Sequence, residues 1–200
     1  KYGVDAPSQG NEFLIQPIYK PNKVLEIYFR YRQQLRERNS RDYPGNITPI
    51  EAVLQRNFRF NLSYIINEAF TFKTRIEMVH VERASSGKQK GILFTQDLLY
   101  KPKSFPLDFA LRYALFDTDG YDTRIYSFEN TALYAFAVPA YYDQGSRAYV
   151  LIRYSFLRHC DLWLRYGIFL YNNKNAISSG TEGIQGSKKT DLILQLRITL

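Results

Sequence analysis

The chain has 200 residues, 45% of them hydrophobic, 16% aromatic and 23% charged, with a formal net charge of +8. No run of about 20 apolar residues occurs, which excludes membrane-spanning helices, and the single cysteine, Cys160, excludes an internal disulfide framework. The 17 Tyr and 14 Phe favour a sheet over a helical bundle. We predict one domain over residues 1–200.

Apolar and polar residues alternate with a period of two through most of the chain, which predicts strands with one apolar and one polar face. A short first strand is expected at residues 12–19. The pattern predicts further strands near residues 25–32, 57–64, 70–78, 92–100, 105–115, 123–138, 147–156, 161–170 and 191–200. Gly, Pro, Asn and Ser punctuate the connections, none of which holds a crossover helix, so the sheet should be antiparallel and up-and-down.

The apolar face of such strands points either to a soluble core or to lipid. Strands long enough to cross a bilayer and a highly charged polar face favour an all-β transmembrane barrel of about ten strands. Tyrosines near predicted strand ends resemble an interfacial aromatic belt, namely Tyr100, Tyr113, Tyr141, Tyr142, Tyr166 and Tyr171. The open alternative is a soluble calyx that binds a small apolar ligand.

The barrel interpretation assigns individual side chains to the two faces. The charged residues expected in the lumen are Arg59, Arg75, Glu77, Asp108, Arg112, Arg153, Arg165 and Arg197. The residues expected to face lipid are Leu111, Ile152, Leu164, Leu194 and Leu196. If the last strand ends in the periplasm, counting back places residues 172–189 outside the cell. The same count places the long connection at 37–49 in the periplasm, against the usual rule that the longer loops lie outside.

Residues 122–142, DTRIYSFENTALYAFAVPAYY, are followed by Gly145-Ser146-Arg147, by DLWLRY at 161–166 and by ISSG at 177–180. This run resembles the C-terminal barrel region of Bacteroidota outer-membrane proteins that carry an N-terminal helix-hairpin-helix region similar to the competence protein ComEA. The resemblance implies an outer-membrane location and upstream strands and a helix-hairpin-helix region that precede these residues. It supplies no catalytic or binding residues.

No motif indicates catalysis, a cofactor or a metal site. His80 falls on the apolar face, His159 lies beside Cys160 in a short turn, and Asp117, Asp119 and Asp122 are expected to form a polar turn rather than a cation site. A basic run could contact nucleic acid. It is explained equally well as a row of charges in the lumen or as a contact with lipopolysaccharide phosphates. The run consists of Arg30, Arg32, Arg36, Arg38 and Arg41.

The function predicted from these features is that of an integral outer-membrane scaffold, pore or complex subunit, not an enzyme. The expected partners are outer-membrane lipid, lipopolysaccharide and other outer-membrane subunits, with nucleic acid disfavoured for this segment. A platform subunit of a DNA-uptake or secretion complex is a further alternative.

Overall fold

The computed structural model describes residues 4–40, 47–157, 159–177 and 183–199. It contains fourteen strands and one short 3₁₀ helix at Tyr121–Thr123. The strands are β1 (Gly10–Ile15), β2 (Ile18–Tyr19), β3 (Leu25–Asn39), β4 (Ile50–Ile65), β5 (Phe70–Arg83), β6 (Gly87–Tyr100), β7 (Leu107–Thr118), β8 (Ile125–Tyr126), β9 (Ala140–Tyr141), β10 (Gln144–Leu157), β11 (Cys160–Tyr171), β12 (Ala176–Ile177), β13 (Ile184–Gln185) and β14 (Lys188–Ile198).

Ten of these strands form one antiparallel sheet in the order β1-β3-β4-β5-β6-β7-β10-β11-β14, with β2 also paired to β3. The prediction of an all-β, antiparallel, up-and-down architecture with about ten strands is confirmed. Within the described residues β14 pairs only with β11, and β1 and β2 pair only with β3, so the sheet has two edges.

The central strands are longer than the sequence pattern indicates. Near their ends both faces carry polar residues, so the alternation that marks a strand in the sequence is lost there. β4 spans 16 residues from Ile50, although alternation is clear only from residue 57. At the hidden end, Arg56 on β4 pairs in register with Gln33 on β3, and the two side chains are hydrogen-bonded at 3.4 Å. A polar pair on the apolar face removes the contrast on which a period-two pattern depends.

Residues 123–138 do not form the long strand that the sequence predicts. β7 and β10 pair directly with each other, with Asp117 opposite Gln144, so no place in the ladder is left between them. Residues 119–143, here called the inserted segment, instead fold back onto one face of the sheet. They contain the 3₁₀ helix at Tyr121–Thr123, the two-residue pair β8 and β9, a bridge between Glu129 and Ala137, and a bend in which Tyr134 has a φ of 63°.

The face covered by the inserted segment is called the inner face, and the opposite face is called the outer face. Cross-strand register fixes which residues share each face. Arg59, opposite Glu77, points inward, whereas the neighbouring Phe58, opposite Met78, points outward. Polar and charged side chains dominate the inner face and large apolar side chains dominate the outer face.

The long and short connections lie at opposite ends of the sheet. The strand ends that flank residues 40–49, 119–143 and 172–187 lie at one end of the sheet, here called the loop end, with the tight turn at 84–86. The strand ends that flank residues 20–24, 66–69, 101–106 and 158–159 lie at the opposite end, here called the turn end. The sequence-based count put 37–49 and 172–189 on opposite sides because it included a strand at 123–138. With that strand removed, both lie at one end.

The proposed aromatic belt needs a correction at two positions. Tyr141 and Tyr171 are buried on the inner side, in a cluster with Phe116 and Phe169, and neither reaches the outer face. Tyr113 and Tyr166 are on the outer face and half exposed, as a belt requires.

Candidate functional site

The inserted segment presents alternate side chains to the inner face. Ile125, Ser127 and Glu129 are at most 2% exposed, whereas Tyr126 and Phe128 between them are about half exposed. One face of the segment therefore packs against the sheet as a strand would, although β8 and β9 of the segment do not pair with the strands of the sheet.

A close backbone approach and an apolar cluster hold the segment at the loop end. A Cβ on Gly91 of β6 would lie 2.7 Å from the carbonyl oxygen of Thr123, so only glycine allows this contact. Beside it, Ile125 and Tyr141 of the segment belong to a buried cluster. The cluster members on the sheet include Val79, Val81, Leu93, Ala114, Phe116, Phe169 and Tyr171.

Glu129 is the main polar anchor of the segment. Its fully buried carboxylate accepts hydrogen bonds from Arg147 Nε at 3.1 Å and Nη2 at 2.9 Å, and from Arg165 Nη2. The Tyr141 hydroxyl donates a further hydrogen bond at 2.7 Å. A buried carboxylate is tolerated only when its charge and its lone pairs are satisfied in this way.

Asp191 on the inner face of β14 completes this cluster. It accepts hydrogen bonds from Arg147 Nη1 at 2.6 Å and from Arg165 Nη1, so two arginines lie between two carboxylates. Gly167 on β11 makes the contact possible, because a Cβ there would lie 2.7 Å from both Arg147 Nη2 and Asp191 Oδ1. The four charged groups come from β10, β11, β14 and the inserted segment.

A second anchor is formed by Arg112 on β7. Its Nη2 donates to Asp97 of β6 at 2.7 Å, and its Nε donates to the other oxygen of the same carboxylate. Arg112 Nη1 reaches the segment, at 3.1 Å from Ser127 Oγ and 2.6 Å from the carbonyl oxygen of Phe128. A guanidinium donates five hydrogen bonds in a rigid plane, so a single arginine can bind both sheet and segment.

Arg75 and Arg59 form the third anchor around Glu77. Arg59 donates to the Glu77 carboxylate at 2.8 and 3.2 Å, and Arg75 pairs with the same carboxylate. Arg75 also donates to Ser127 Oγ at 3.0 Å and to the carbonyl oxygen of Tyr126 at 3.1 Å. Ser127 therefore accepts from both Arg75 on β5 and Arg112 on β7.

The remaining predicted charges meet near the turn end of the inner face. Arg153 lies 3.0 Å from Asp161 and 3.6 Å from Asp108, and Arg197 lies 3.4 Å from Asp161. Arg153 and Arg197 therefore share the Asp161 carboxylate. Arg165 pairs instead with Glu129 and Asp191, two carboxylates that the sequence did not single out. All eight residues predicted for the lumen lie on the inner face.

Burial raises the pKa of the Tyr141 phenol well above its ordinary value, and the adjacent Glu129 carboxylate raises the same pKa further. Tyr141 therefore remains a neutral donor to Glu129 throughout the physiological range. Together with Arg147 and Arg165, this pair fixes the inserted segment to the sheet through ion pairs and hydrogen bonds.

The five residues predicted to face lipid all point to the outer face. Leu111, Leu164, Leu194 and Leu196 are exposed and Ile152 is partly exposed. They belong to a continuous apolar surface, since neighbouring strands place such residues in register, for example Leu162 opposite Leu196 and Leu164 opposite Leu194.

Sequence reasoning missed the central residue of the site. Glu129 and Ser127 were hidden within a segment interpreted as a strand, and Tyr141 was assigned to the aromatic belt. One feature of the sequence was informative, since Pro139 directly follows the predicted strand. A residue without a backbone N–H is poorly suited to a central strand.

The other candidates behave as ordinary structural residues. His80 lies exposed on the outer face with its ring 6.0 Å from that of Phe58. Asp119 accepts a backbone hydrogen bond from Lys90 at 2.8 Å, and Asp122 lies 3.5 Å from Arg83. Over the described ranges no group of three or more possible ligands could hold a metal ion. In the same part of the chain no helix is long and apolar enough to cross a membrane.

Comparison of the sequence with protein-family models and with curated proteins finds no match. The resemblance to the Bacteroidota barrel proteins therefore stays a prediction.

Proposed function

We propose that this chain forms the wall of a bacterial outer-membrane β-barrel whose interior is closed by the inserted segment, and that it serves as an integral scaffold or a closed pore. One observation carries the proposal: the polarity of the two faces is inverted relative to a soluble protein. Buried inner residues such as Glu77, Asp97 and Arg165 are charged, while outer residues such as Leu111 and Leu115 are apolar and exposed.

The size of the apolar outer face supports a lipid environment. Soluble monomers rarely expose contiguous apolar patches larger than a few hundred Å², whereas exposed apolar residues here occur on every long strand. The central strands have 12 to 16 residues, which exceeds the roughly 9–11 that a tilted membrane strand requires.

The connections also support this proposal. Outer-membrane barrels have short periplasmic turns and longer extracellular loops, and the long connections of this sheet share one end. We therefore propose that the loop end is extracellular. Closure of the barrel requires pairing at the edges formed by β1 with β2 and by β14.

A calyx for an apolar ligand fits the inner face less well. Such a cavity is lined mainly by apolar side chains, whereas Arg112, Arg147 and Arg165 lie buried along the middle of this face with their carboxylate partners. The hypothesis of a DNA-uptake or secretion platform concerns partners outside this chain and stays a prediction.

Two adjacent residues allow a direct test of the lipid face. Trp163, the only tryptophan, lies on the inner face and is 6% exposed, and Leu164 next to it lies on the outer face. The refolded protein is placed in vesicles of brominated phospholipid, which quench only tryptophans that contact acyl chains. Wild type, with Trp163 alone, is compared with the double variant Trp163→Phe, Leu164→Trp.

The proposal expects strong quenching of the double variant and weak quenching of wild type. Both proteins should stay monodisperse only in the presence of detergent or lipid. Equal quenching of the two proteins, or a stable monomer in plain buffer, would contradict a membrane location.

A further inference from the structure

In one region of the inner face, several arginines have no carboxylate partner among the described residues. A pocket of about 260 Å³ near the loop end, here called the arginine pocket, lies between β3 and the inserted segment. Its lining includes five arginines, Arg32, Arg36, Arg38, Arg83 and Arg124, together with Asp122.

The arginines approach the pocket from two sides. Arg32, Arg36 and Arg38 lie on the inner face of β3, where residues two apart project to the same side. Arg124 belongs to the inserted segment, and its guanidinium lies 4.1 Å from the centre of the Tyr121 ring. The fold of the inserted segment therefore brings Arg124 close to the arginines of β3.

Two of the five arginines are neutralised. Arg32 donates to both oxygens of Glu12, at 2.9 and 2.7 Å, and Arg83 pairs with Glu51 and with Asp122. The carboxylates of Glu12, Glu51 and Asp122 thus neutralise Arg32 and Arg83.

The other three have no such partner. No carboxylate of the described residues lies within ion-pair distance of Arg36, Arg38 or Arg124. Arg36 Nη2 donates to the neutral Gln55 at 2.8 Å, and its buried Nε has no hydrogen-bond partner there. Arg124 donates to the Tyr126 hydroxyl at 2.8 Å and to the carbonyl oxygen of Tyr121 at 2.7 Å.

Clustered guanidinium groups keep their charge, because arginine does not deprotonate in proteins. Three guanidinium groups without a carboxylate partner in the described part of the chain therefore make this cavity a favourable place for an anion. The planar guanidinium of arginine binds two oxygens of a phosphate through two parallel hydrogen bonds, and the oxygens of one phosphate can accept from several arginines at once. The cavity is smaller than the roughly 300 Å³ at which sites for drug-sized ligands begin.

We propose that the arginine pocket binds a small soluble phosphate, either inorganic phosphate or a compact phosphate ester, through Arg36, Arg38 and Arg124. The pocket lies on the inner face, away from the outer surface that lipid headgroups would contact. The proposal uses only the inner face, and so it does not depend on membrane insertion.

The test is isothermal titration of the detergent-solubilised, full chain with inorganic phosphate and with pyrophosphate at constant ionic strength. Wild type should bind both anions. Arg36→Gln should weaken phosphate binding at least tenfold. Arg36→Lys keeps the positive charge but loses the two parallel N–H donors of the guanidinium, so it should weaken binding less. The matched control is Arg56→Gln, since Arg56 on β4 is partly exposed, pairs with Glu82 and faces outward. The phosphate affinity of this variant should equal that of wild type.

A melting experiment without phosphate separates loss of the site from loss of the fold. Arg36→Gln removes repulsion among like charges, so it should melt at the same temperature as wild type or higher, and added phosphate should raise its melting temperature less. No binding to wild type, equal binding to Arg36→Gln, or binding to lipid A micelles without binding to inorganic phosphate would overturn the proposal.

Discussion

Glu129 of the inserted segment and Arg165 of β11 form an ion pair in which neither side chain is more than 3% exposed. The pair joins residues 36 positions apart in the chain and ties the segment to the sheet. Arg147 and Asp191 extend it into a four-membered cluster. The cluster explains how a connection rich in aromatic residues is held inside a sheet whose inner face is polar.

Replacing Glu129 with Gln should destabilise the protein by about 3 kcal/mol. The substitution leaves two buried arginines with a single carboxylate, and breaking a buried pair on one side costs about 3–5 kcal/mol. Urea unfolding of the lipid-embedded protein, followed by tryptophan fluorescence, measures the change.

The control for this variant is Glu82→Gln. Glu82 pairs with Arg56 through side chains that are more than a third exposed, so the loss should be at most about 1 kcal/mol. Equal losses in the two variants would show that Glu129 does not anchor the segment.

Gly167→Ala should destabilise the same cluster by about 1–3 kcal/mol, the usual cost of forcing an extra carbon into a packed site. The added Cβ would lie 2.7 Å from Arg147 Nη2 and from Asp191 Oδ1, so these two side chains must move from their paired positions. Gly120→Ala is the control, since its Cβ would approach nothing closer than 3.4 Å. A neutral Gly167→Ala variant in the same unfolding assay would contradict this arrangement.

Removal of residues 127–137 should convert a closed barrel into a conducting one. In planar bilayers wild type should show no steady current, because the segment fills the inner face. The deletion also removes Glu129, which leaves Arg147 and Arg165 with Asp191 as their carboxylate partner. The opened channel should therefore prefer anions.

Selectivity is measured as the reversal potential in a potassium chloride gradient. A steady current through wild type would contradict closure by the segment. A cation-selective current through the deletion variant would contradict the assigned charge of the inner face.

Cysteine labelling in intact cells should report which end of the sheet faces outward. In a Cys160→Ser background, Asn175→Cys at the loop end should react with a membrane-impermeant thiol reagent, because the long connections are expected outside the cell. Glu68→Cys at the turn end, where the side chain is 80% exposed, should react only after the cells are broken. The reverse pattern would invert the proposed orientation.

The sequence was sufficient to predict the architecture and the two faces of the strands. Alternation is a local property: Leu194 and Gln195 project to opposite sides of any extended chain, whatever lies next to it. For this reason the antiparallel sheet of about ten strands and the inner placement of Arg59, Arg112 and Arg165 could be inferred without the structure. The strand ends could not, since pairs such as Gln33 with Arg56 are polar on the outer face.

The tertiary structure alone decided the fate of residues 119–143. Their alternation is that of a strand, but a strand needs a free ladder position, and the direct pairing of β7 with β10 leaves none. The segment instead satisfies its polar groups against arginines from β5, β7, β10 and β11. Contacts between residues so distant in the chain produce no periodic pattern in the sequence. The role of Glu129, the arginine pocket and the common end of the long loops could therefore be found only in the tertiary structure.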